Sequence, residues 1–593
     1  MARRLFLLAA LVLGTSLPAH AGVRAVWAVN DGEKIERDSL ASPLKARNSA
    51  WDGQTIVLSA ARNEIVAFQL MVETDEKGIA ALSAALPELR GPGGAIVYAP
   101  PASDPTLYVG RPIQLFSVHY LNVTKETRAL WAWKPGSPAA PRDPTGWKPV
   151  VLVPENARAG RGGFPLRVEA NRNQALWVEI YTGRDRPAGI FRGTVTVTAD
   201  GQKRTLPIEL EIYDFALPDE NSLRAMVYYE PDQPVLYQGR NLDPAYHRFA
   251  HRQRVELVHA YDEAQVTAAL GRFDGRDFTM ANGYEGPGDG IGNSIVPPTF
   301  YGPGRVYEER ASAWTASDAW MTFVARTVPR ALTFLYLPDE PYPDEYPHVR
   351  KLAENVHSNP GPGGRLPTFV TKSIIPELQG AIDIWCVPPQ AYDIAAADAQ
   401  RRQGRRVWFY NGGRPQGPTL LIDAPATDAR VVAWAAFKHD VDLYFFWHGV
   451  HWEHNRQKQG ERKQNVWADP ITFDNRGQPR KPIDDQGYLN GDGVLMYPGE
   501  EKVHPEEDRG ILGPCSTVQL ANLRRGLQDH LYLTLARKLG LEAEVRAALT
   551  SVVPKVFSDA GETVGFAETG DAYEAARRKL AQAIVARNEA AGR

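Results

Sequence analysis

The hydrophobic pattern of this 593-residue chain changes near residue 218. Before that point, apolar and polar residues alternate in short runs separated by turn-forming residues, a pattern typical of half-buried β-strands. After it, short apolar runs alternate with longer segments of helical period, which indicates strands joined by helices. A single domain usually has about 100–200 residues. The pattern and the length together predict two regions of different architecture.

The first region, residues 22–218, is predicted to be a β-sandwich. Its alternating runs include Ile65 to Val72, Leu176 to Tyr181, Gly193 to Thr198 and Leu206 to Tyr213. Turn residues separate them, as in Ala199-Asp200-Gly201. Many short strands with regular turn signals favour two packed sheets.

The second region, residues 219–515, is predicted to be a (β/α)8 barrel of the TIM type. Its candidate strands lie at 224–229, 255–259, 332–337, 367–370, 382–385, 406–410 and 442–446, with helical segments between several of them. The Gly- and Pro-rich stretch 273–312 is predicted to be a long loop over the top of the barrel. Residues 516–593 are predicted to form helices that close the barrel, because Leu520, Leu523, Leu527, Leu531 and Leu535 fall at helical spacing.

The first 21 residues have the order of a secretory signal peptide. Arg3 and Arg4 precede an apolar run from Leu5 to Leu17, and Ala19-His20-Ala21 is a small-residue cleavage site. The run is shorter than the roughly 20 residues that span a bilayer, and no later segment is long and apolar enough to span one. We therefore expect an exported protein, periplasmic or extracellular. Its two cysteines, Cys386 and Cys515, are expected to be buried thiols rather than a disulfide, although export would permit the bond.

The charge balance argues against a nucleic-acid partner. Formal net charge is −3, whereas a general nucleic-acid-binding protein usually carries a basic surplus. The chain has 14 Trp and 23 Tyr, and these aromatic side chains either fill a large core or form flat binding surfaces. The positions of these residues along the predicted strands distinguish core packing from ligand binding.

Two adjacent carboxylates follow the apolar run at 332–337. Active sites of β/α barrels lie at the carboxyl ends of the strands, and Asp339 and Glu340 occupy such a position. Neighbouring like charges raise at least one pKa, which makes a neutral general acid available near pH 7. Glycoside hydrolysis needs that acid to protonate the leaving oxygen. The alternative is a polar turn that caps the next helix.

Aromatic residues cluster at other predicted strand ends, and they are candidates for a sugar-binding wall. Sugar rings have apolar faces that suit flat aromatic surfaces, while polar groups fix their orientation. The alternative is that the rings pack beneath the loops. The candidate substrate-binding residues are Tyr301, Trp385, Trp408, Tyr410, Trp447, His448 and Trp452.

Histidines at 448, 451 and 454 repeat at every third position. A helical zinc pair would instead be spaced i, i+4, as in His-Glu-x-x-His. We therefore expect no metal and no other cofactor, and we assign His448 to hydrogen bonding with a sugar. Neither a Walker loop nor a Gly-x-Ser-x-Gly elbow is present in the sequence.

Five segments along the chain carry a family resemblance: Ala60 to Gln69, Pro187 to Gly193, Leu335 to Pro341, Gly491 to Gly499 and Leu523 to His530. They resemble glycoside hydrolase family 123, the β-N-acetylgalactosaminidases, and exported bacterial proteins related to it. The last segment departs from the family's usual Arg-Asp-Gly-Ile-Glu-Asp-Tyr and reads Arg-Arg-Gly-Leu-Gln-Asp-His here. The resemblance implies a sandwich followed by a barrel. It also implies that Glu340 is the general acid/base and that Asp339 orients the substrate's own 2-acetamido group as the nucleophile.

Three functional hypotheses follow. In the first, the protein is a retaining glycosidase that acts on 2-acetamido sugars with substrate assistance. In the second, an enzyme carboxylate such as Glu453 is the nucleophile, and the two carboxyl groups lie about 5–5.5 Å apart. In the third, the barrel is a non-catalytic carbohydrate-binding domain. All three predict an oligosaccharide or polysaccharide partner.

Overall fold

The computed structural model describes residues 22–592 except 454–462, 482, 484 and 485. The predicted signal peptide, residues 1–21, lies outside the described residues. Within them, two sheets form the first part of the chain and a parallel sheet with helices forms the second.

The first part of the chain forms most of two sheets of short strands, and two strands from residues 496–517 complete the first of them. One sheet has the order β1-β3-β10-β7-β8-β23-β22, and the other contains β2, β12, β11, β4 and β9 in that order, with β5 and β6 alongside. Pairing is antiparallel except between β2 and β12. The strands are β1 (Val23–Asn30), β2 (Ile56–Arg62), β3 (Glu64–Thr74), β4 (Ile79–Ala85), β5 (Glu88–Gly91), β6 (Gly94–Val97), β7 (Ile113–Val123), β8 (Gly146–Pro154), β9 (Leu166–Val168), β10 (Asn173–Thr182), β11 (Gly189–Ala199), β12 (Gln202–Ala216), β22 (Met496–Pro498) and β23 (Pro514–Thr517).

Side chains from both sheets share one hydrophobic core. Phe68, Leu70 and Val178 from the first sheet and Phe191 and Ile208 from the second are fully buried in one cluster. Strand positions point alternately to opposite faces, so the alternating sequence pattern supplies this buried face. Each strand segment predicted here is found as a strand.

The second part of the chain contains a parallel sheet of seven strands in the order β14-β13-β19-β18-β17-β16-β15. Helices connect the strands, as the alternating pattern predicts. The strands are β13 (Arg224–Tyr228), β14 (Glu256–Val258), β15 (Leu335–Tyr336), β16 (Thr368–Thr371), β17 (Ile384–Val387), β18 (Arg406–Tyr410) and β19 (Leu443–Phe446). The helices are α1 (Asp232–Gln238), α2 (Asp243–Arg252), α3 (Glu263–Ala268), α4 (Leu270–Asp274), α5 (Arg310–Thr327), α6 (Tyr346–His357), α7 (Ile394–Arg402) and α8 (Thr427–Lys438).

An irregular segment joins the two edge strands of this sheet. Ile295 forms a parallel bridge to Leu332, before β15, and the Pro297 carbonyl accepts a hydrogen bond from the Tyr261 N–H, just beyond β14. The Glu256 carboxylate also binds the backbone N–H groups of Ser294 and Ile295. The seven parallel strands are thus compatible with a half-barrel whose edges a non-strand segment connects; a complete eight-stranded barrel and a sandwich remain predictions.

The end of the chain returns to the first part of the molecule. After the hairpin β20 (Ile471–Asp474) and β21 (Tyr488–Asn490), β23 pairs with β8 and extends the first sheet. The remaining residues form the helices α9 (Val518–Lys538), α10 (Glu542–Val552) and α11 (Gly570–Ala591). The domain boundaries at 218 and 515 remain predictions, although strands from beyond residue 218 complete a sheet that begins before it.

A cluster of buried charges lies where α9 and α11 meet the first sheet. The Arg525 guanidinium contacts Asp31, Glu64 and Glu574 at 3.0, 2.7 and 2.8 Å, and Arg577 contacts Glu64 at 3.1 Å. All five side chains are buried or nearly so. Charges removed from water need such partners, because an isolated buried charge is strongly unfavourable.

Two further sequence expectations can be compared with the structure. Cys386 and Cys515 are both buried free thiols, as predicted. Among the residues described, no helix combines the length and apolar character needed to cross a bilayer.

Candidate active site

Asp339 lies three residues beyond the end of β15 and is held by two hydroxyl groups. Tyr336 Oη and Thr371 Oγ1 donate to Asp339 Oδ1 at 2.8 and 2.5 Å. Tyr336 ends β15 and Thr371 ends the neighbouring β16, so adjacent strand ends fix one oxygen of this carboxylate. The side chain still keeps a solvent-exposed surface.

Glu340 is held by a different set of partners. Tyr410 Oη, at the end of β18, donates to Glu340 Oε1 at 2.6 Å, and Lys481 Nζ contacts Oε2 at 2.7 Å. The backbone of Glu340 has a φ of +42°, a left-handed conformation that non-glycine residues adopt mainly where the surroundings enforce it. The side chain is 40% exposed, so it remains accessible to a ligand.

The two carboxyl groups differ in proton affinity. Desolvation and then the neighbouring Glu340 charge raise the pKa of Asp339 to about 6. Desolvation also acts to raise the pKa of Glu340, but the Lys481 ammonium and the Tyr410 hydroxyl outweigh it and lower that pKa. In the free protein, a single proton on this pair therefore rests on Asp339.

A third carboxylate, Glu230, lies at the end of β13. Tyr228 Oη donates to Glu230 Oε1 at 3.2 Å, and His448 Nε2 lies 3.5 Å from Oε2. The hydrogen bond to His448 is the largest influence on Glu230, and its pKa is lowered as a result. An ionised carboxylate therefore faces the same strand-end region as Asp339 and Glu340.

Aromatic rings connect the two carboxylate positions. The Tyr301 ring contacts Tyr228 at 4.7 Å and Tyr336 at 5.5 Å between centroids. Its pKa is raised by burial and then by the charges of Asp339 and Glu230, among others. Tyr301 Oη also donates to the carbonyl of Trp447. Tyr301, Tyr228 and Trp447 are half-buried, so each keeps surface for a ligand.

The indole ring of Trp447 is held by a hydrogen bond to the buried side chain of Asp492. Its indole Nε1 donates to Asp492 Oδ1 at 3.0 Å, and Asp492 is only 4% exposed. Burial raises the pKa of Asp492 to about 7. This acid positions the indole ring.

Three of the predicted substrate-binding residues are corrected by the structure. Trp385, Trp408 and Trp452 have no exposed surface, so their rings cannot form a sugar platform. The Trp408 ring packs against Phe334 and Phe369 in a deeper layer than Tyr410, because residues i and i+2 of a strand share a face but lie at different depths. The Trp452 indole donates to the Met496 carbonyl.

Two other predicted contacts are made to protein carboxylates. His448 is 3% exposed and lies behind Glu230, so its predicted direct bond to a sugar is corrected to support of that carboxylate. Tyr410 is 7% exposed and uses its hydroxyl on Glu340. These residues belong to the site, but as residues that position its acids.

The described part of the histidine series lies beside Glu230 and Trp447, whereas the alternative nucleophile, Glu453, has other partners. The His448 and His451 rings are 5.2 Å apart, and His454 lies outside the described residues. No cluster of three or more metal-binding side chains is found in the described part of the chain. Glu453 forms a backbone bridge with Lys463. Burial and then the charges of Glu501 and Glu453 raise the pKa of Tyr237.

A separate recess of about 400 Å³ lies at the amino ends of the parallel strands, opposite the carboxyl ends that carry Asp339 and Glu340. His357, Asp383 and Arg405 are among its lining residues, and the Asp383 carboxylate pairs with both of the others. These charges neutralise each other. The strand-end carboxylates at the carboxyl edge therefore remain the candidate active site.

Sequence reasoning missed Glu230, Thr371, Lys481 and Asp492. Glu230 directly follows a correctly predicted strand, so the strand-end rule that selects Asp339 also points to it. Thr371 ends β16 in the same way. Lys481 lies in the turn between β20 and β21, and no strand-end rule selects it.

The comparisons with known proteins agree with this geometry. Residues 368–536 match the family model described as the catalytic domain of glycoside hydrolase 123. A family 123 glycoside hydrolase from Clostridium perfringens, studied for glycolipid glycan hydrolysis, has the same fold with a TM-score of 0.63 and 12% identity. The alignment covers 96% of this chain and 98% of that one.

Other structures are much less similar. A β-glucuronidase from Parabacteroides merdae aligns over 80% of this chain and 51% of its own, with 8% identity and a TM-score of 0.26. That score is too low to support an inference. No curated protein matches the sequence significantly.

The family match indicates a glycoside hydrolase that acts on glycans, and the shared fold agrees with it. More particularly, residues 368–536 are similar to the catalytic domain of glycoside hydrolase 123. The matched range begins after Asp339 and Glu340, so the roles of those two residues depend on their geometry.

Proposed function

We propose that this protein is a retaining glycosidase for glycans with a 2-acetamido sugar, similar to the β-N-acetylgalactosaminidases, and that it uses substrate-assisted catalysis. The observation that supports this proposal most directly is the Asp339–Glu340 pair. The two carboxyl groups are adjacent, both reach solvent, and each has its own hydrogen-bond partners. Such a pair can divide orientation and proton transfer between its members.

In the proposed reaction, Asp339 accepts a hydrogen bond from the acetamido N–H of the substrate. This raises the nucleophilicity of the acetamido carbonyl oxygen, which attacks the anomeric carbon. Glu340 donates its proton to the glycosidic oxygen as the C–O bond breaks, and the leaving alcohol departs. Glu340 then removes a proton from water, which attacks the same carbon and reopens the cyclised intermediate with overall retention.

The free protein must change its charge distribution before this reaction. Lys481 holds Glu340 ionised, and the single proton rests on Asp339. The proposed chemistry needs the reverse distribution. We therefore include displacement of Lys481 from Glu340 by the bound glycan, with transfer of the proton within the pair.

The proposal also includes export and the complete architecture. The order of charged, apolar and small residues in 1–21 supports a cleaved signal peptide, and hence a periplasmic or extracellular enzyme. The bridging segment 294–297 supports a closed barrel of eight positions. The shared core of the two sheets supports a sandwich.

The decisive experiment is a screen of nitrophenyl glycosides, including N-acetyl-β-galactosaminide and N-acetyl-β-glucosaminide. Wild type, Glu340→Gln and the control Glu263→Gln are compared; Glu263 is an exposed residue of α3. We expect wild type and the control to hydrolyse an N-acetylhexosaminide and Glu340→Gln to lose at least about 100-fold in rate. Equal activity of all three proteins would refute the assignment of Glu340.

A second measurement tests the route. Inhibition by a thiazoline mimic of the cyclised intermediate, together with a product of retained anomeric configuration, is expected. Cleavage of glycosides that lack the acetamido group at an equal rate would exclude substrate assistance.

A further inference from the structure

Glu230 is a carboxylate that the proposed reaction does not use. It follows β13 at the carboxyl edge of the parallel sheet, and its side chain is 44% exposed. Each of its oxygens has a separate protein partner, Tyr228 Oη on Oε1 and His448 Nε2 on Oε2. The group is therefore fixed in orientation and open on its outer side.

The hydrogen bonds of His448 define its role. Its Nδ1 accepts from the Val450 N–H at 3.1 Å, so the neutral ring carries its proton on Nε2, the atom that faces Glu230. The ring is buried and also contacts Tyr228 edge-on at 5.1 Å. His448 therefore directs its Nε2–H toward the carboxylate from the buried side, 3.5 Å from Oε2.

The position of Glu230 relative to the reacting pair follows from Tyr301. This ring contacts Tyr228, the partner of Glu230, and Tyr336, the partner of Asp339. The Tyr301 ring thus lies between the residue that holds Glu230 and the residue that holds Asp339. A sugar ring stacked on these half-buried rings would direct its hydroxyl edge toward Glu230.

We propose that Glu230 accepts hydrogen bonds from ring hydroxyl groups of the sugar and thereby determines which sugar stereoisomer is hydrolysed. This inference rests on the proposed function and names a specificity residue within the same site. An ionised carboxylate accepts hydrogen bonds and does not donate them, and sugar hydroxyls are suitable donors. Its own two donors reduce its basicity, which favours recognition over nucleophilic attack.

The test is a double-mutant cycle between the protein and the substrate. Wild type, Glu230→Gln and the control Glu263→Gln are assayed with nitrophenyl N-acetyl-β-galactosaminide and with its 3-, 4- and 6-deoxy analogues. A hydrogen bond to a charged group contributes about 1.5–3 kcal/mol, equivalent to roughly 10- to 150-fold in kcat/KM. We expect wild type and the control to lose this factor on at least one deoxy analogue, and Glu230→Gln to lose it on the parent substrate with little further loss on that analogue.

Tyr228→Phe is a second variant that removes one anchor and retains the ring. It should weaken the same hydroxyl discrimination in part, mainly through KM, even if Glu230→Gln folds poorly. Unchanged discrimination in a folded Glu230→Gln variant would overturn the inference. Azide rescue of Glu230→Ala with formation of a glycosyl azide would also overturn it, because that product identifies a nucleophile.

Binding measurements separate failure of this inference from failure of the proposed function. Calorimetry with N-acetylgalactosamine is performed on wild type and Glu230→Gln. Sugar binding that is weakened in the variant would support the inference even if wild type hydrolysed none of the glycosides. Hydrolysis by wild type with equal sugar binding and equal discrimination in the variant would reject the inference alone, and neither binding nor hydrolysis by wild type would reject both.

Discussion

The Nζ atom of Lys481 lies 2.7 Å from Oε2 of Glu340. Lys481 comes from the β20–β21 hairpin, whereas Glu340 follows a strand of the parallel sheet. The ammonium therefore occupies one oxygen of the carboxyl group that donates a proton in the proposed reaction.

The pH dependence of hydrolysis should reflect the pair rather than one acid. The proposed reaction needs one proton on Asp339 and Glu340 together, and the higher pKa, that of Asp339, is about 6. Above that pH both groups are ionised and no general acid is available. We expect kcat/KM to fall as pH rises above about 6, measured on the free enzyme at low substrate concentration. A rate that is constant up to pH 9 would contradict this prediction.

Lys481→Met should move this alkaline limb to higher pH. The ammonium stabilises ionised Glu340 and also lowers the pKa of Asp339, so its removal raises both. The pair then keeps its proton to a higher pH. The measurement is the pH profile of kcat/KM, with Lys579→Met on α11 as a charge control that should leave the limb unchanged.

Tyr410→Phe should also shift the alkaline limb of the pH profile to higher pH, but by less than Lys481→Met. The Tyr410 hydroxyl donates to Glu340 Oε1 at 2.6 Å and so favours the ionised form. Without it the pKa of Glu340 rises, and the carboxyl group also loses a positioning contact. We expect a decrease in kcat of about 10-fold, in the range of one hydrogen bond, with an upward shift of the alkaline limb. A shift to lower pH would contradict the assigned donor role.

Asp492→Asn should change how stability depends on pH. Burial raises the pKa of Asp492 to about 7, so between about pH 4 and 7 the folded state binds more protons than the unfolded state. Stability therefore falls as pH rises through this window. The Asn side chain can still accept from the Trp447 indole, and it does not ionise.

Urea unfolding at pH 5 and pH 8 measures this difference. The loss of unfolding free energy between the two pH values should be smaller in Asp492→Asn than in wild type by roughly 2–3 kcal/mol. Glu263→Gln is the control, with the pH dependence of wild type. An identical pH dependence in Asp492→Asn would show that this acid does not titrate in the window.

Arg525→Met should strongly destabilise the fold. It leaves Asp31, Glu64 and Glu574 buried with fewer partners, and breaking a buried ion pair costs about 3–5 kcal/mol. The matched control is Arg537→Met on the same helix, whose partner Asp440 is exposed. That change should cost no more than about 1 kcal/mol in the same denaturant titration. Similar losses in both variants would contradict the importance of burial.

Much of the fold could be predicted because its strands and helices have clear periods. The runs at 406–410 and 442–446 become β18 and β19 with shifts of at most one residue. Which strands pair with each other was harder to predict from the sequence. That β23 pairs with β8 depends on contacts between residues more than 350 positions apart, and local periodicity carries no information about them.

Within the candidate site, a position at a strand end predicted the exposure of the carboxylates better than the exposure of the aromatic rings. Asp339 and Glu340 reach solvent, whereas Trp385 and Trp408 are buried. A carboxylate is costly to bury and tends to stay at a surface. A Trp side chain is compatible with either environment, so its position along a strand does not reveal its depth.

The pairing of β23 with β8 also affects the order in which the molecule can be assembled. The β8 residues Val150, Val151, Leu152 and Val153 are all buried in the finished protein, and the edge beside them is covered only by a strand that ends at residue 517. A chain that stops at residue 218 would leave that apolar edge open to other strands, a recognised route to aggregation. The first sheet to be synthesised is thus the last to be completed, and its edge needs protection until nearly nine-tenths of the chain has been made.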